Sequence, residues 1–137
     1  MEFEIVAWNE KYRDSTAECF DAAWRNAISK NPKLSFYREA LDEHLDTIKQ
    51  LQSKSEDEAF FLAIFQEVFV GTVQIFFDSD QAFVDNVAVH PLAQRKGVCR
   101  TLLERVKHEA RSRGYEFITL DTFEVNQRAV KTYFSMN

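Results

Sequence analysis

A short basic segment that leads into an amphipathic helix carries the clearest chemistry in this sequence. The segment is Gln94-Arg95-Lys96-Gly97, and the apolar residues after it recur with helical spacing. The first amides of a helix have no partner inside the helix, and the positive end of the helix dipole lies beside them, so they hold an anion such as a pyrophosphate. Gly97 lacks a Cβ where backbone and ligand approach each other, and the neighbouring cations add charge. The segment therefore predicts an anion site, although it also fits an ordinary strand–turn–helix corner with a solvated loop.

A second motif near the C-terminus gives this segment a family context. Gln94-x-x-Gly97-x-Cys99 follows the Val-Ala-Val end of a β-branched strand and resembles the acyl-coenzyme-A signature of the GNAT N-acetyltransferase superfamily, Gln/Arg-x-x-Gly-x-Gly/Ala. Asn126-x-x-Ala129-x-x-x-Tyr133 resembles the superfamily's Asn-x-x-Ala-x-x-x-Tyr segment, at the usual distance after the fifth strand. Because both motifs occur in the right order on the expected elements, the chain is identified as a member of this superfamily.

The resemblance implies how acetyl-coenzyme A is held. The strand at 84–89 would separate from the strand at 117–122, and the pantetheine arm would enter the gap and pair with the main chain of Val87 and Val89 as an added strand does. Backbone amides of residues 95–100 would hold the pyrophosphate. The implied coenzyme-binding residues are Val87, Ala88, Val89, Gln94, Arg95, Lys96, Gly97, Val98, Cys99, Arg100, Asn126 and Tyr133.

Acetyl transfer to an amine also needs proton transfer. Removing the proton from a lysine-like amine at neutral pH costs about 4–5 kcal/mol, and from an α-amine about 1 kcal/mol, so a general base helps the first acceptor more. Asp121 is the first candidate because several superfamily members keep a Glu there, and Asp85 is the second. Either is also explained as a turn or cap residue. Tyr133 is placed near the thioester sulfur by its motif, where it is better suited to stabilise the departing thiolate by hydrogen bonding than to protonate it, unless it is a core residue.

Composition excludes several other classes of protein. The chain has 137 residues and is 45% hydrophobic and 28% charged, which indicates one globular domain (1–137). Its net charge of −5 indicates that it lacks the basic surface that binds nucleic acid. No apolar run is long enough to cross a membrane, and two cysteines favour a reducing cytoplasm. The three histidines lack metal-ligand spacing, so no metal is expected. Gly-rich nucleotide-binding motifs of other folds are absent from the sequence.

The elements that must position these residues follow from periodicity and turn residues. Their order, β-α-α-β-β-β-α-β-α, predicts an α+β fold of three α/β/α layers with a mixed, mostly antiparallel sheet; the resemblance makes it the GNAT acyl-CoA N-acyltransferase fold. Gly71, inside one strand, indicates a bulge or a close backbone approach. Strands are predicted at 2–8, 59–65, 68–77, 82–90 and 117–122, and helices at about 14–29 (capped by Asp14 or Ser15), 34–52, 97–113 and 126–135, with a polar connector at 53–58.

Two features depart from the superfamily pattern. Cys99 replaces the preferred Gly or Ala, and a thiol at a helix N-terminus can have a lowered pKa. The C-terminal strands that normally cover the fifth strand are predicted to be missing, so we expect the edge at 117–122 to be covered by a second chain in a homodimer, or left open.

The favoured function is an N-acetyltransferase that moves an acetyl group from acetyl-CoA to a primary amine, on a small molecule or a protein, by direct attack in a ternary complex. The acceptor would bind between the first two helices and the 59–77 hairpin. The alternative is a catalytically impaired GNAT-like domain that binds coenzyme A or a partner protein, which the two departures favour.

Overall fold

The computed structural model describes residues 2–30, 42–43, 45–46, 57–121 and 129–133. A six-stranded sheet runs through these residues in the order β1-β2-β3-β4-β5-β6. All neighbours are antiparallel except β4 and β5, which are parallel. The elements, in chain order, are β1 (Glu4–Ala7), α1 (Arg13–Lys30), β2 (Glu58–Phe65), β3 (Val68–Phe77), β4 (Ala82–Val89), α2 (Val98–Ser112), β5 (Phe117–Asp121) and β6 (Ala129–Tyr133).

The two helices cover opposite faces of the sheet. The larger core cluster contains the buried stripe of α2, which includes Leu102 and Val106, together with side chains of β2 to β5. The second cluster contains the apolar stripe of α1 and Ala88 of β4. Val87 and Val89, on either side of Ala88, pack against the larger cluster. Because successive strand residues point to opposite faces, the clusters lie on opposite sides, which confirms the α/β/α layers.

Turn and cap chemistry sets the limits of most elements. The β2–β3 hairpin turns through Gln66 (φ 49°) and Glu67 (φ 69°), and two positive φ values are the pattern of a type I′ turn. At the end of α2, Gly114 (φ 90°) donates its amide to the Arg111 carbonyl (3.0 Å), and Tyr115 donates to the Ala110 carbonyl (3.1 Å). This is a Schellman motif, so the predicted glycine terminator is confirmed.

The start of α1 differs from the prediction. A 3-10 turn at Glu10–Tyr12 precedes the helix, and the Asn9 side chain accepts a hydrogen bond from the Lys11 amide (3.0 Å). The cap is therefore Asn9, and the prediction of Asp14 or Ser15 is wrong. The reason is that the 3-10 turn already supplies a helical entry, so the capping side chain is needed one turn earlier.

The C-terminal segment corrects the predicted last helix. Residues Ala129–Tyr133 form β6, paired antiparallel with β5 from Phe117↔Tyr133 to Asp121↔Ala129. The segment Val130-Lys131-Thr132-Tyr133 is rich in β-branched and aromatic residues, and pairing satisfies the backbone groups that β5 would otherwise expose. The predictions of missing C-terminal strands and of a second chain covering this edge are therefore wrong: β6 of the same chain covers it. The reason offered for a homodimer disappears.

Two further predictions fall largely on undescribed residues. Most of the predicted helix at 34–52 and of the connector at 53–58 lies outside the described residues; Asp42, Glu43, Leu45 and Asp46 are described and are helical. Within the described part of the chain, no helix combines the length and apolar composition that crossing a membrane requires.

Candidate functional site

The parallel pairing of β4 with β5 is short among the described residues. Their ladder joins Ala82 to Ile118, Phe83 to Thr119 and Val84 to Leu120, and among the described residues it extends no further. Val87, Ala88 and Val89 of β4 lie beyond the last described pair, and β5 is described for only one residue past Leu120. The gap expected for a pantetheine arm beside these three residues stays a prediction.

A bulge lies in β4 just beyond its last described pair with β5. β4 pairs with β3 through Gln74↔Asp85 and Thr72↔Ala88, so two residues of β4 lie opposite one residue of β3. An extra residue bends a strand and reverses which side chains face each side of the sheet. Before the bulge, Ala82 and Val84 face α2; after it, Val87 and Val89 do.

The N-terminus of α2 lies at the C-terminal end of this gap. Gly97 is its N-cap residue, with φ 86° and no side-chain capping hydrogen bond. The first amide hydrogen bond of the helix runs from Thr101 to the Gly97 carbonyl (3.0 Å), so the amides of Val98, Cys99 and Arg100 precede the helical hydrogen bonds and point outward. A Cβ on Gly97 would meet nothing within 4 Å, so the space beside the cap is open. This end of the helix has the donors and the room that an anion requires.

The loop before α2 is held to β4 by side chains. The His90 Nδ1 accepts a hydrogen bond from the Leu92 amide (3.2 Å) and caps the 3-10 turn Pro91–Ala93. The Gln94 Nε2 donates to the carbonyl of Val89 at 3.5 Å, a long contact. The capping role of His90 was not anticipated from the sequence; its position before Pro91 was the available signal, because a proline at the first helical position often follows a capping residue.

Positive charge surrounds the helix N-terminus. Arg95, Lys96 and Arg100 are exposed, and none of the three forms an ion pair with a residue that the structure describes. Arg95 has a left-handed backbone (φ 64°), a conformation that costs about 1–2 kcal/mol for a side chain other than glycine. Strain of this kind often accompanies functional loops. The three cations are free to meet phosphate oxygens.

Cys99 lies in the first turn of α2 and is exposed. Partial burial of its thiol raises its pKa above the ordinary value, because desolvation disfavours the thiolate. The expectation of a lowered pKa is therefore wrong, and desolvation is the cause of the rise. Cys99 is a neutral thiol beside the anion site.

The predicted catalytic residues are described only in part. Asp85 is exposed and directly follows Val84, the last residue of β4 that is described as paired with β5; Asp121 directly follows Leu120, the partner of Val84. The two candidate bases thus lie at the end of the described β4–β5 ladder. The side chains of Asp121 and Tyr133 and all of Asn126 lie outside what the structure describes, so their roles stay predictions.

A nearby hydroxyl was not anticipated from the sequence. Thr119 of β5 is 5% exposed, and its Oγ1 has no hydrogen-bond partner among the described residues. Buried polar atoms are nearly always paired, so this one is suited to a partner that the described chain does not supply. An isolated Thr in a β-branched strand gave no signal in the sequence.

An acidic cavity of about 510 Å³ lies between α1 and the helical residues Asp42, Leu45 and Asp46. Arg25 pairs with Asp21 and, at 3.0 Å, with Asp42. The other three carboxylates have no ion pair with any residue in the described ranges. Sequence reasoning found no chemistry here, although acids at 14, 18 and 21 share one face of a helix. The lining residues are Asp14, Ala17, Glu18, Asp21, Arg25, Asp42, Leu45 and Asp46.

The cavity lies on the α1 side of β4. Ala17 and Leu45, which line it, belong with Ala88 of β4 to the same core cluster. The anion site lies at the other side of that strand, where Val89 leads into the loop before α2. A ligand in the gap and a ligand in the cavity would therefore approach β4 from two directions.

Comparisons with known proteins agree with this geometry. The model of the acetyltransferase (GNAT) family matches residues 8–136. No curated protein sequence gives a significant match. The PaiA N-acetyltransferase of Thermoplasma acidophilum, solved with coenzyme A, is 18% identical, superposes with a TM-score of 0.71, and the match covers 92% of this chain and 82% of that one.

Two further solved structures have the same fold. The ribosomal-protein-S18-alanine N-acetyltransferase of Escherichia coli is 18% identical, with a TM-score of 0.64 over 91% of this chain and 70% of that one. A GNAT family acetyltransferase of Brucella melitensis, in complex with acetyl-CoA, is 16% identical, with a TM-score of 0.65 over 97% and 88% of the two chains. With the family match extending over nearly the whole sequence, the chain belongs to the GNAT acetyltransferase family.

Proposed function

We propose that the chain transfers an acetyl group from acetyl-CoA to a primary amine by direct attack in a ternary complex. The observation that carries the proposal is the N-terminus of α2, which has no side-chain cap and lies beside the residues of β4 beyond the last described pair with β5, Val84↔Leu120. A gap beside a strand suits an extended amide-bearing arm, and bare helix amides suit a diphosphate. These are the two ends of coenzyme A.

The coenzyme is held by this chain's own backbone. The pantetheine amides pair with the main chain of Val87 and Val89, and the amides of residues 95–100 bind the pyrophosphate. Arg95, Lys96 and Arg100 neutralise phosphate charge, and Asn126 bonds the pantetheine side, as the family motif implies. The thioester then lies in the gap close to Asp85.

The transfer itself needs a neutral amine. Its nitrogen attacks the thioester carbonyl carbon, the C–S bond breaks, and the sulfur leaves as a thiolate that takes up a proton. Asp121 or Asp85 accepts the proton of the ammonium, and the hydroxyl of Tyr133 stabilises the departing sulfur by a hydrogen bond. A general base of this kind contributes about 10²–10⁴-fold to the rate.

The acidic cavity supports a cationic acceptor. Asp14, Glu18 and Asp46, which have no ion pair among the described residues, attract an ammonium group and stabilise its charged form. That stabilisation adds to the cost of removing the proton, so an acceptor bound there depends strongly on a base at the strand gap. Two free cysteines, Cys19 and Cys99, support placing the reaction in a reducing cytoplasm.

A binding and turnover experiment tests the proposal. Acetyl-CoA affinity is measured by calorimetry, and release of the coenzyme thiol is then followed with a diamine, a monoamine, an anionic amino acid and a peptide with a free α-amine. We expect micromolar binding and fastest turnover with the diamine. Tight binding without turnover on any amine supports instead a GNAT-like domain that binds coenzyme A but does not catalyse, and no binding refutes both.

The acceptor site is tested by Glu18→Gln, with Glu104→Gln on the exposed face of α2 as the matched control. We expect the KM for the diamine to rise about fivefold at low salt with Glu18→Gln and to stay unchanged with Glu104→Gln, because one carboxylate near a cation contributes about 1 kcal/mol. Equal effects of the two variants contradict a cationic acceptor in this cavity.

A further inference from the structure

Gly71 of β3 lies at a point where two parts of the proposed coenzyme site meet. On one side it pairs with Val89, the last residue of β4, and on the other with Ala63 of β2. Beside it, β3 has one residue more than β2, because Ala63 pairs with Gly71 while Ile64 pairs with Phe69. The extra residue confirms the predicted bulge. The predicted close approach is confirmed by the side chains of α2 that lie against Gly71.

The close approach is made by the first turn of α2. A Cβ built on Gly71 would lie 2.6 Å from Cγ1 of Val98 and 2.9 Å from Cδ1 of Leu102. Carbon atoms pack at about 3.5–4.0 Å, so neither approach is tolerated without movement. Val98 is 1% exposed and Leu102 is fully buried, so neither side chain has solvent to move into. Val98 is also β-branched and stiff at χ1.

The amide of Val98 is one of the outward-pointing donors at the helix N-terminus. A residue that decides how close Val98 comes to β3 also decides where these donors lie relative to Val89, because Gly71 is paired with Val89 directly. The distance between the strand that would hold the pantetheine and the amides that would hold the pyrophosphate thus depends on the missing side chain at position 71.

We propose that Gly71 is a positioning residue: by having no side chain, it lets the first turn of α2 close onto the sheet and sets the anion-binding amides at the distance from β4 that acetyl-CoA requires. The inference rests on the proposed function for its ligand, but the displacement that it predicts is a property of the unliganded chain.

The first test is the unliganded Gly71→Ala variant. In its crystal structure we expect the Cα of Val98 to lie about 0.5–1 Å further from β3 than in the unchanged chain, the movement that restores ordinary carbon–carbon contact. An unmoved first turn, with the new methyl group accommodated by side-chain rotation alone, overturns the inference whether or not the chain binds acetyl-CoA.

The second test is acetyl-CoA affinity with a rescue. We expect Gly71→Ala to raise the Kd at least tenfold, and Gly71→Ala combined with Val98→Ala to return it to within threefold of Val98→Ala alone, because the nearest clashing methyl is removed. If Gly71→Ala does not fold, the double variant against Val98→Ala decides. A double variant that binds no better than Gly71→Ala contradicts the inference.

A matched control separates position from stability. Val106→Ala removes buried side-chain volume from the same helix two turns further on, and we expect it to lower the melting temperature while leaving the Kd within twofold. A Val106→Ala effect on Kd equal to that of Gly71→Ala shows general destabilisation and overturns the inference. If the unchanged chain binds no acetyl-CoA, the proposed function fails, and the crystallographic displacement still decides about Gly71.

Discussion

Gly97 and Gly114 form a natural pair for testing the anion site. Both have left-handed backbones, with φ 86° and 90°, and a Cβ on either would meet nothing within 4 Å. Gly97 lies at the start of α2, beside the proposed pyrophosphate. Gly114 lies just past the C-terminal end of the same helix. Alanine at either position therefore introduces the same backbone strain, and only one of the two lies near the proposed ligand.

The expected effects can be estimated for each. Left-handed strain costs about 1–2 kcal/mol, so each variant should lose about 3–6 °C in melting temperature. For Gly97→Ala, the methyl group enters the open space beside the cap and keeps the phosphate from reaching the amides. Losing one hydrogen bond to a charged group costs about 1.5–3 kcal/mol, which raises the Kd for acetyl-CoA about 10- to 150-fold.

The assay is isothermal titration of both variants with acetyl-CoA, alongside thermal unfolding. We expect similar losses of stability and a large difference in affinity, with Gly114→Ala binding within twofold of the unchanged chain. If Gly97→Ala also binds within twofold, the phosphate does not approach the cap of α2, and the assignment of this helix end to the coenzyme is refuted.

Four further predictions follow from single residues. Arg95→Gly relieves left-handed strain and removes a phosphate partner, so we expect an equal or higher melting temperature with about fivefold weaker acetyl-CoA binding and a shallower salt dependence; a loss of stability contradicts this. Cys99→Ala removes a bulky neutral thiol from the first turn and should tighten acetyl-CoA binding about threefold by titration, whereas weaker binding shows that the thiol assists. Asp85→Asn and Asp121→Asn, assayed separately, should identify the base. Replacing the base should lower kcat about 100-fold on a lysine-like amine, and less on an α-amine, with the KM for acetyl-CoA unchanged. If neither variant loses activity, neither aspartate is the base. Burial raises the pKa of Cys19 from 9.0 to about 12, against a smaller lowering by a hydrogen bond from the His90 backbone. As the pH rises past the ordinary pKa of a thiol, Cys19 loses its proton in the unfolded chain but keeps it in the folded chain. The contribution of the neutral thiol to the free energy of unfolding is therefore complete below the ordinary pKa and is lost as the pH rises toward the folded pKa. Between about pH 8 and 10.5, the free energy of unfolding measured with denaturant should fall by about 2 kcal/mol more for the unchanged chain than for Cys19→Ala. If the free energy of unfolding of the two proteins falls in parallel with pH, the burial of a neutral thiol is contradicted.

Local chemistry made most of the fold predictable. Alternating and β-branched runs located β2 to β5 within one or two residues, and Gly97 and Gly114 marked the ends of α2. These signals are strong because the residue types that suit burial in a strand, or a left-handed backbone at a helix end, stand at the positions where the fold requires them. The entry to α1 was mispredicted because Asn9, Asp14 and Ser15 are all good caps and only the 3-10 turn distinguishes them.

The features that could not be predicted depend on partners distant in sequence. Val130 to Tyr133 fit a short amphipathic helix or a strand equally well, and the exposed edge of β5 decides for the strand. The bulge in β4 leaves no mark in the sequence, because it arises from the pairing with β3. The acidic cavity likewise needs Asp42 and Asp46 to meet α1, which periodicity alone does not show.

The most direct test of the account is a crystal structure of the chain with acetyl-CoA. We predict pyrophosphate oxygens within about 2.7–3.2 Å of the amides between Arg95 and Arg100, and the pantetheine arm beside Val87 and Val89, with the β4–β5 ladder still ending at Val84↔Leu120. A structure in which β4 and β5 pair beyond this point, with the coenzyme bound elsewhere or absent, contradicts the account.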